Sequence, residues 1–124
     1  ELNPKFAQAH LSLAKALAAD GDGGTAASHL SQAVEIDPKL ADAHCLLAEA
    51  CVRLNALEEA ENCYRGALAI NENYVSARLG LGALLRRQGR REIAEREFRR
   101  VLELDPTNPV ARSMLEPGDA NAPS

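Results

Sequence analysis

The chain has 124 residues, of which 46% are hydrophobic, 26% charged and only 3% aromatic, with a formal net charge of −4. That content suits one folded domain, and no apolar run approaches the ~18 residues that suggest a membrane span. Three cysteines, an odd number, argue against a disulfide framework and favour a reducing, cytoplasmic-type compartment, the localisation being otherwise left unknown.

The opening residues Glu1, Leu2, Asn3 and Pro4 return as Glu35, Ile36, Asp37, Pro38 and again as Glu103, Leu104, Asp105, Pro106. The spacings are 34 residues and twice 34. A fixed period of that size marks stacked copies of one supersecondary unit, none able to bury its apolar face alone. Full rows of 34 run over residues 7–40, 41–74 and 75–108. In the first row, Leu13, Ala14 and Leu17 stand at i, i+1 and i+4, which predicts a helix that ends near Gly21. Ala26, Leu30 and Ala33, at i, i+4 and i+7, predict a second helix that ends near Asp37. The next row repeats this with Leu47, Ala48 and Cys51, a stop at Asn55, and then Ala60, Tyr64 and Ala67. The third has Leu81, Gly82 and Leu85, a stop at Gly89, and then Ala94, Phe98 and Val101.

The small columns (Ala14, Ala48, Gly82 and Ala26, Ala60, Ala94) predict close approach of helix backbones. Gly21, Asn55 and Gly89 are residues that close a helix in the left-handed conformation at least cost. Asp37 and Asp105 are expected to cap the following helices, with Pro38 and Pro106 in their first turns. Asn71 or Asn73 stands in for that cap at the second junction. No stretch alternates with period two, so no sheet is expected.

These columns and this period resemble the tetratricopeptide repeat, a 34-residue helix–turn–helix. The resemblance implies an all-α, right-handed α-solenoid: residues 1–6 ending a preceding repeat, 7–40, 41–74 and 75–108 as three repeats, 109–116 as a partial helix, and 117–124 as a flexible tail. It also implies a segment cut from a longer repeat protein, with Leu2 and Phe6 partly exposed. The chain departs from the family at the first helix's large aromatic, replaced by His10, His44 and Arg78, and at its usual tyrosine, replaced by Leu17, Cys51 and Leu85.

In this family the first helices of successive repeats line a concave face. The resemblance carries that groove onto Gln8, Leu11 and Lys15, with Ala18, in the first repeat. In the second it selects Asp42, Cys45, Glu49 and Arg53, with Val52, and in the third Ser76, Leu79, Ala83, Arg86 and Arg87. Leu11, Cys45, Leu79 and Ala83 would form an apolar floor between charges of both signs. The expected occupant is a protein or peptide segment, and the function a non-catalytic interaction scaffold; the alternative is a substrate-recruiting repeat arm of a larger transferase-type enzyme. Family members that clamp the carboxylate of chaperone tails use Lys, Asn and Arg side chains where this chain has Leu11, Lys15, Leu46, Ser76 and Gly80. Only Lys15 is basic there, which argues against that specialised activity.

Residues 75–124 hold 9 Lys/Arg against 7 Asp/Glu, whereas residues 1–74 hold 5 against 11. The arginines cluster as Arg86, Arg87, Arg90, Arg91, Arg96, Arg99 and Arg100, with pairs such as Glu92 with Arg96, Glu95 with Arg99 and Arg99 with Glu103 expected at i, i+4. No aromatic is interleaved for base stacking, which argues against nucleic acid as the partner. His10 and His44 share a packing column, His29, Cys63 and Glu97 a tolerant one, and Cys45 and Cys51 diverge on one helix, so no metal site is expected. The run from Asp20 to Gly24 lacks the glycine and closing glutamate of a calcium loop and reads as a turn. No phosphate loop, catalytic triad or cofactor motif is visible.

Overall fold

A computed structural model of the chain describes residues 4–115. Among these it holds seven helices and no strand. They fall into two compact units, Glu1–Glu72 and Asn73–Ser124.

The first unit contains α1 (Pro4–Ala19), α2 (Gly23–Ile36), α3 (Ala41–Arg53) and α4 (Leu57–Ile70). α1 packs on α2, α2 on α3, and α3 on α4. Each hairpin turns in the same way. Gly21 and Asn55 have φ of 86° and 63°, the left-handed conformation the sequence predicts. Around Gly21, its N–H donates to the Ala18 carbonyl (3.0 Å) and the Asp22 N–H to the Leu17 carbonyl (2.8 Å). Around Asn55 the same pair runs from Asn55 to Val52 (3.0 Å) and from Ala56 to Cys51 (2.8 Å). These are the two closing bonds of a Schellman motif, which satisfies carbonyls that a helix end leaves open. The residue that finishes one helix then starts the next: Asp22 is the N-cap of α2, and its carboxylate accepts the Thr25 N–H at 3.2 Å.

The second unit contains α5 (Val75–Arg87), α6 (Arg91–Leu104) and α7 (Pro109–Leu115). α5 packs on α6, and α6 on α7. Gly89 supplies the left-handed residue here, with φ of 82°. Residue 116 and the expected tail at 117–124 lie outside the described residues, as do Glu1, Leu2 and Asn3.

The Asp-Pro signals act differently from expectation. Pro4 does open α1, as a proline suited to a first turn should, so Lys5 and Phe6 belong to that helix and Phe6 is exposed. Asp37 and Asp105, however, are the C-caps of α2 and α6, and the helices after them begin only at Ala41 and Pro109. Each Asp starts a tight turn, its carbonyl accepting the N–H of Leu40 (3.2 Å) or Asn108 (3.0 Å). Pro38 and Pro106 then hold the second turn position, where their fixed φ is favoured. The Asp37 carboxylate accepts the Lys39 N–H at 3.2 Å. Capping of α7 falls to Asn108, whose Oδ1 accepts the Ala111 N–H at 3.0 Å. Asn71 likewise closes α4, and neither α3 nor α5 has a side-chain cap.

The small columns are at helix–helix contacts. Ala14, Ala48, Ala26, Ala60 and Ala94 are all essentially sealed from solvent. At Gly82 the reason is explicit: an added Cβ would stand 2.7 Å from the Phe98 ring. The leucine column is graded in burial. Leu47 lies against the core formed by α1, α2 and α3, while Leu13, with no described helix before α1, is 46% exposed.

The column expected to be tolerant makes polar contacts across two of the hairpins. His10 Nδ1 meets His29 Nδ1 at 2.9 Å with ring centroids 5.1 Å apart. Arg78 meets Glu97 at 2.8 Å, both side chains only 15% exposed. His44 instead bonds the Pro38 carbonyl through Nε2 at 2.9 Å. On α6, Arg99 holds Glu95 (3.4 Å) as expected, but Glu103 pairs with Arg100 (2.8 Å) instead of Arg99. At i, i+3 Arg100 lies on the same side of the helix as Glu103.

Candidate functional site

The first unit contains an open cleft of about 280 Å³ lined by residues of α1, α2 and α3. Its apolar surface comes from Ala14, Ala18, Ala26, Leu30, Leu46 and Ala50, and its polar edge from Lys15, Glu49 and Arg53. The space exists because alanines occupy the columns where α1 and α3 could have met over α2. Leu30 of α2 lies at its base, itself buried at 2% exposure.

Of the groove residues carried over by family resemblance, the structure brings Lys15, Glu49 and Arg53 to this cleft. Gln8 and Asp42 are exposed on α1 and α3 but do not line it. Leu11 and Cys45 are buried at 4% and 3% exposure and belong to the core, so neither serves as an accessible floor. The accessible apolar lining comes from Ala18, Ala19 and Leu46, with Leu30 and Ala50 buried behind them. Leu30 was missed because a rule built on first helices ignores α2, and the sequence signal for it is the alanine content of the columns above it.

Two cations and one carboxylate give this cleft a net positive edge. Lys15 and Arg53 are exposed, whereas Glu49 is half-buried, with the Cys45 thiol 4.0 Å from its Oε2. Burial, and after it the negative charge of Glu49, raises the pKa of the Tyr64 hydroxyl. Tyr64 is therefore a neutral, buried wall behind Glu49. Such a surface can hold an apolar side chain in the alanine-lined space and a carboxylate at its rim. No group of three or more His, Cys, Asp or Glu among the described residues is placed to hold a metal. No described helix is long and apolar enough to cross a membrane.

In the second unit, α5 carries Ser76, Leu79, Ala83, Arg86 and Arg87. Ser76, Ala83 and Arg87 are exposed, and Leu79 and Arg86 are half-buried. The Arg86 guanidinium reaches the end of α7, with Nη1 3.2 Å from the Met114 carbonyl oxygen and 3.0 Å from its Sδ. A helix C-terminus offers open carbonyls and a negative dipole end, so this contact is structural.

The model of the family described as cilia and flagella-associated protein 70 middle TPR-like domain matches residues 10–116. Among solved structures, the first TPR of Spaghetti (RPAP3) bound to the HSP90 peptide SRMEEVD aligns with a TM-score of 0.88 at 25% identity, over 92% of this chain and 90% of that one. The first TPR domain of human RPAP3 aligns with a TM-score of 0.86 at 26% identity, over 91% of this chain and 89% of that one. Human protein O-mannosyl-transferase TMTC2 is 42% identical over 59 residues, which are 48% of this chain and only 7% of that protein. The helix order and these likenesses make the fold an all-α tetratricopeptide-repeat solenoid.

Proposed function

This chain belongs to the cilia and flagella-associated protein 70 middle TPR-like family, and from that premise we propose that it is a non-catalytic interaction module that holds an extended segment of a partner protein in the cleft of its first unit. The observation that carries this reading is the alanine-lined cleft edged by Lys15, Glu49 and Arg53. An extended segment would seat one apolar side chain against Ala18 and Leu46 and place an acidic group near Lys15 and Arg53. A preformed site of this kind loses little entropy on binding, and its charges set orientation more than affinity. The related Spaghetti domain, whose peptide SRMEEVD carries three acidic residues, supports an acidic ligand class. Gln8 and Asp42, together with the α1 and α3 residues above, would contact the segment beside the cleft. Ser76, Leu79, Ala83 and Arg87 are proposed as a contact surface of the second unit in its own right, with Arg86 held at its edge by α7. The partial likeness to an O-mannosyl-transferase does not displace this reading, since so little of that protein is matched.

Selection from a random-peptide phage library tests the proposal. Enriched sequences should pair Asp or Glu with a nearby Leu, Val or Met. The doubly charge-reversed K15E/R53E chain should bind them about tenfold more weakly while keeping its helical circular dichroism, a size set by ~0.2–1 kcal/mol for each exposed ion pair plus the repulsion introduced. Enrichment of basic sequences, or unchanged affinity in the double variant, would exclude this site.

A further inference from the structure

His10 and His29 meet across the α1–α2 hairpin with their Nδ1 atoms 2.9 Å apart. The ring centroids are 5.1 Å apart and the ring planes 28° from parallel. The ring bodies therefore lie on opposite sides of the contact, and the two nitrogens point at one another. Neutral imidazoles so placed share one proton, one ring donating N–H and the other accepting. The repeat frame produces the same encounter a second time. Arg78 stands in the column of His10 and Glu97 in that of His29, and those two meet at 2.8 Å. Contact between these columns thus follows from the frame, and the first repeat fills both with imidazole. Both rings are half-buried and keep some access to solvent. No Lys or Arg stands three or four residues from either histidine, so neither helix sets a cation beside the pair.

We propose that His10 and His29 form a binding site for a divalent transition metal of the copper(II) or nickel(II) class, the ion taking the place of the shared proton. Imidazole is a favoured ligand of these ions. With metal–imidazole bonds of ~2.0–2.1 Å, adjacent ligands of a tetragonal or octahedral centre stand about 2.9 Å apart. The two Nδ1 atoms already have that separation. A tetrahedral zinc centre would need about 3.3 Å between them, so the geometry favours copper or nickel. The lone pairs must swing from each other toward one point beside the contact. That is a rotation about χ2, whose energy well is broad for histidine. The proton leaves Nδ1 of the donor ring for Nε2 of the same ring, so two neutral rings bind the ion without net proton release. Two protein ligands leave the remaining positions to water, and the ion is held reversibly. It ties α1 to α2 at a place apart from the cleft, which neither histidine lines. His44 is the internal control, since its Nε2 is engaged by the Pro38 carbonyl at 2.9 Å.

Nickel(II) is the probe, because copper(II) oxidises thiols and the chain has three cysteines. Calorimetric titration of the reduced, tag-free chain should show one nickel bound per chain, and zinc(II) should bind more weakly. His10→Gln and His29→Gln should each weaken nickel binding at least about tenfold, a loss that changes around a metal site's ligands already reach. His44→Gln should bind as before, and circular dichroism checks that each variant keeps its helices. The unmodified chain supplies a second reading that does not depend on how the variants fold. It has three histidines, and paramagnetic nickel should broaden the ring proton signals of His10 and His29 before those of His44. His44 signals that broaden first, binding undiminished in His10→Gln or His29→Gln, an equal loss in His44→Gln, tighter binding of zinc, or no nickel bound at about 1 mM would each overturn the proposal.

Discussion

The α1–α2 and α5–α6 hairpins are built on one 34-residue frame but fill it differently. In α5–α6 the interior is dense: Phe98, Leu81, Leu85 and Val101 are the largest fully buried side chains of the chain, and Gly82 is small because the Phe98 ring occupies its space. In α1–α2 the same columns hold Ala14 and Leu30, Leu13 is largely open, and both Ala14 and Leu30 line a cleft. The cross-hairpin polar contact also differs, a shielded Arg78–Glu97 ion pair in one and a His10–His29 contact in the other. Ring volume fills the space at a glycine in one hairpin, whereas alanine and leucine line a cleft in the other. Under the proposed function, one repeat serves packing and another recognition on the same 34-residue frame.

The largest expected effect is at the dense hairpin. Phe98→Ala should cost ~3–5 kcal/mol, by lost transfer energy plus a cavity that Gly82 cannot fill. Gly82→Ala should cost ~1–3 kcal/mol, because its new Cβ would press on the ring. Most of that cost should vanish in a Phe98→Leu background, the coupling expected of contacting residues. Denaturant titration of the four chains measures it, and additive costs would show that the two columns do not share one space.

Next comes the ion pair. Arg78→Met or Glu97→Gln alone should each cost about 3 kcal/mol, since the abandoned partner stays shielded from water, while the two changes together should cost far less. A thermodynamic cycle from chemical unfolding reads that difference. In the second repeat, Ala60→Leu should overpack the α3–α4 contact and cost ~1–3 kcal/mol, whereas Glu58→Leu on the exposed side should change stability by less than about 0.5 kcal/mol. Equal thermal shifts for these two variants would show that residue 60 is not a packing position.

Much of this frame was legible before any coordinates. The period placed all three hairpins, and Gly21, Asn55 and Gly89 declared their left-handed turns, because both signals arise from the local chain. The Asp-Pro junctions were misread for a local reason too: proline suits a turn as well as a helix start, and only the two residues that follow decide between them. The cross-hairpin pairs were invisible because 19 residues separate His10 from His29 and Arg78 from Glu97, so their meeting depends on how two helices dock. The cleft was half legible. Its charged rim follows from the family's inner columns, but its apolar lining depends on how α1, α2 and α3 pack, a consequence of volume in three dimensions. Arg86 shows the converse, a rim residue by pattern that the fold spends on the end of α7.

The smallest expected effect tests whether the hairpin turns, which share one backbone geometry, differ only in side-chain capping. Asp22 caps α2 through its carboxylate, while Ala56 and Arg90 stand at the same place before α4 and α6 without a side-chain cap. Asp22→Ala should therefore cost about 1 kcal/mol, and the reverse change should stabilise the other hairpins by up to about that amount. The two gains should be unequal. The first turn of α4 already holds Glu58 and Glu59, whereas that of α6 holds only Glu92. A new carboxylate at 56 joins two negative charges at one positive dipole end, so repulsion removes part of the benefit. Arg90→Asp also takes a cation away from that end of α6, an unfavourable place for it, and its contacts include an exposed one to Gln88 at 3.2 Å. Unfolding free energies should rank Arg90→Asp above Ala56→Asp, with the gap narrowing in high salt as the charges are screened. An equal gain at both sites in low salt would mean that the first-turn acids do not reach the cap.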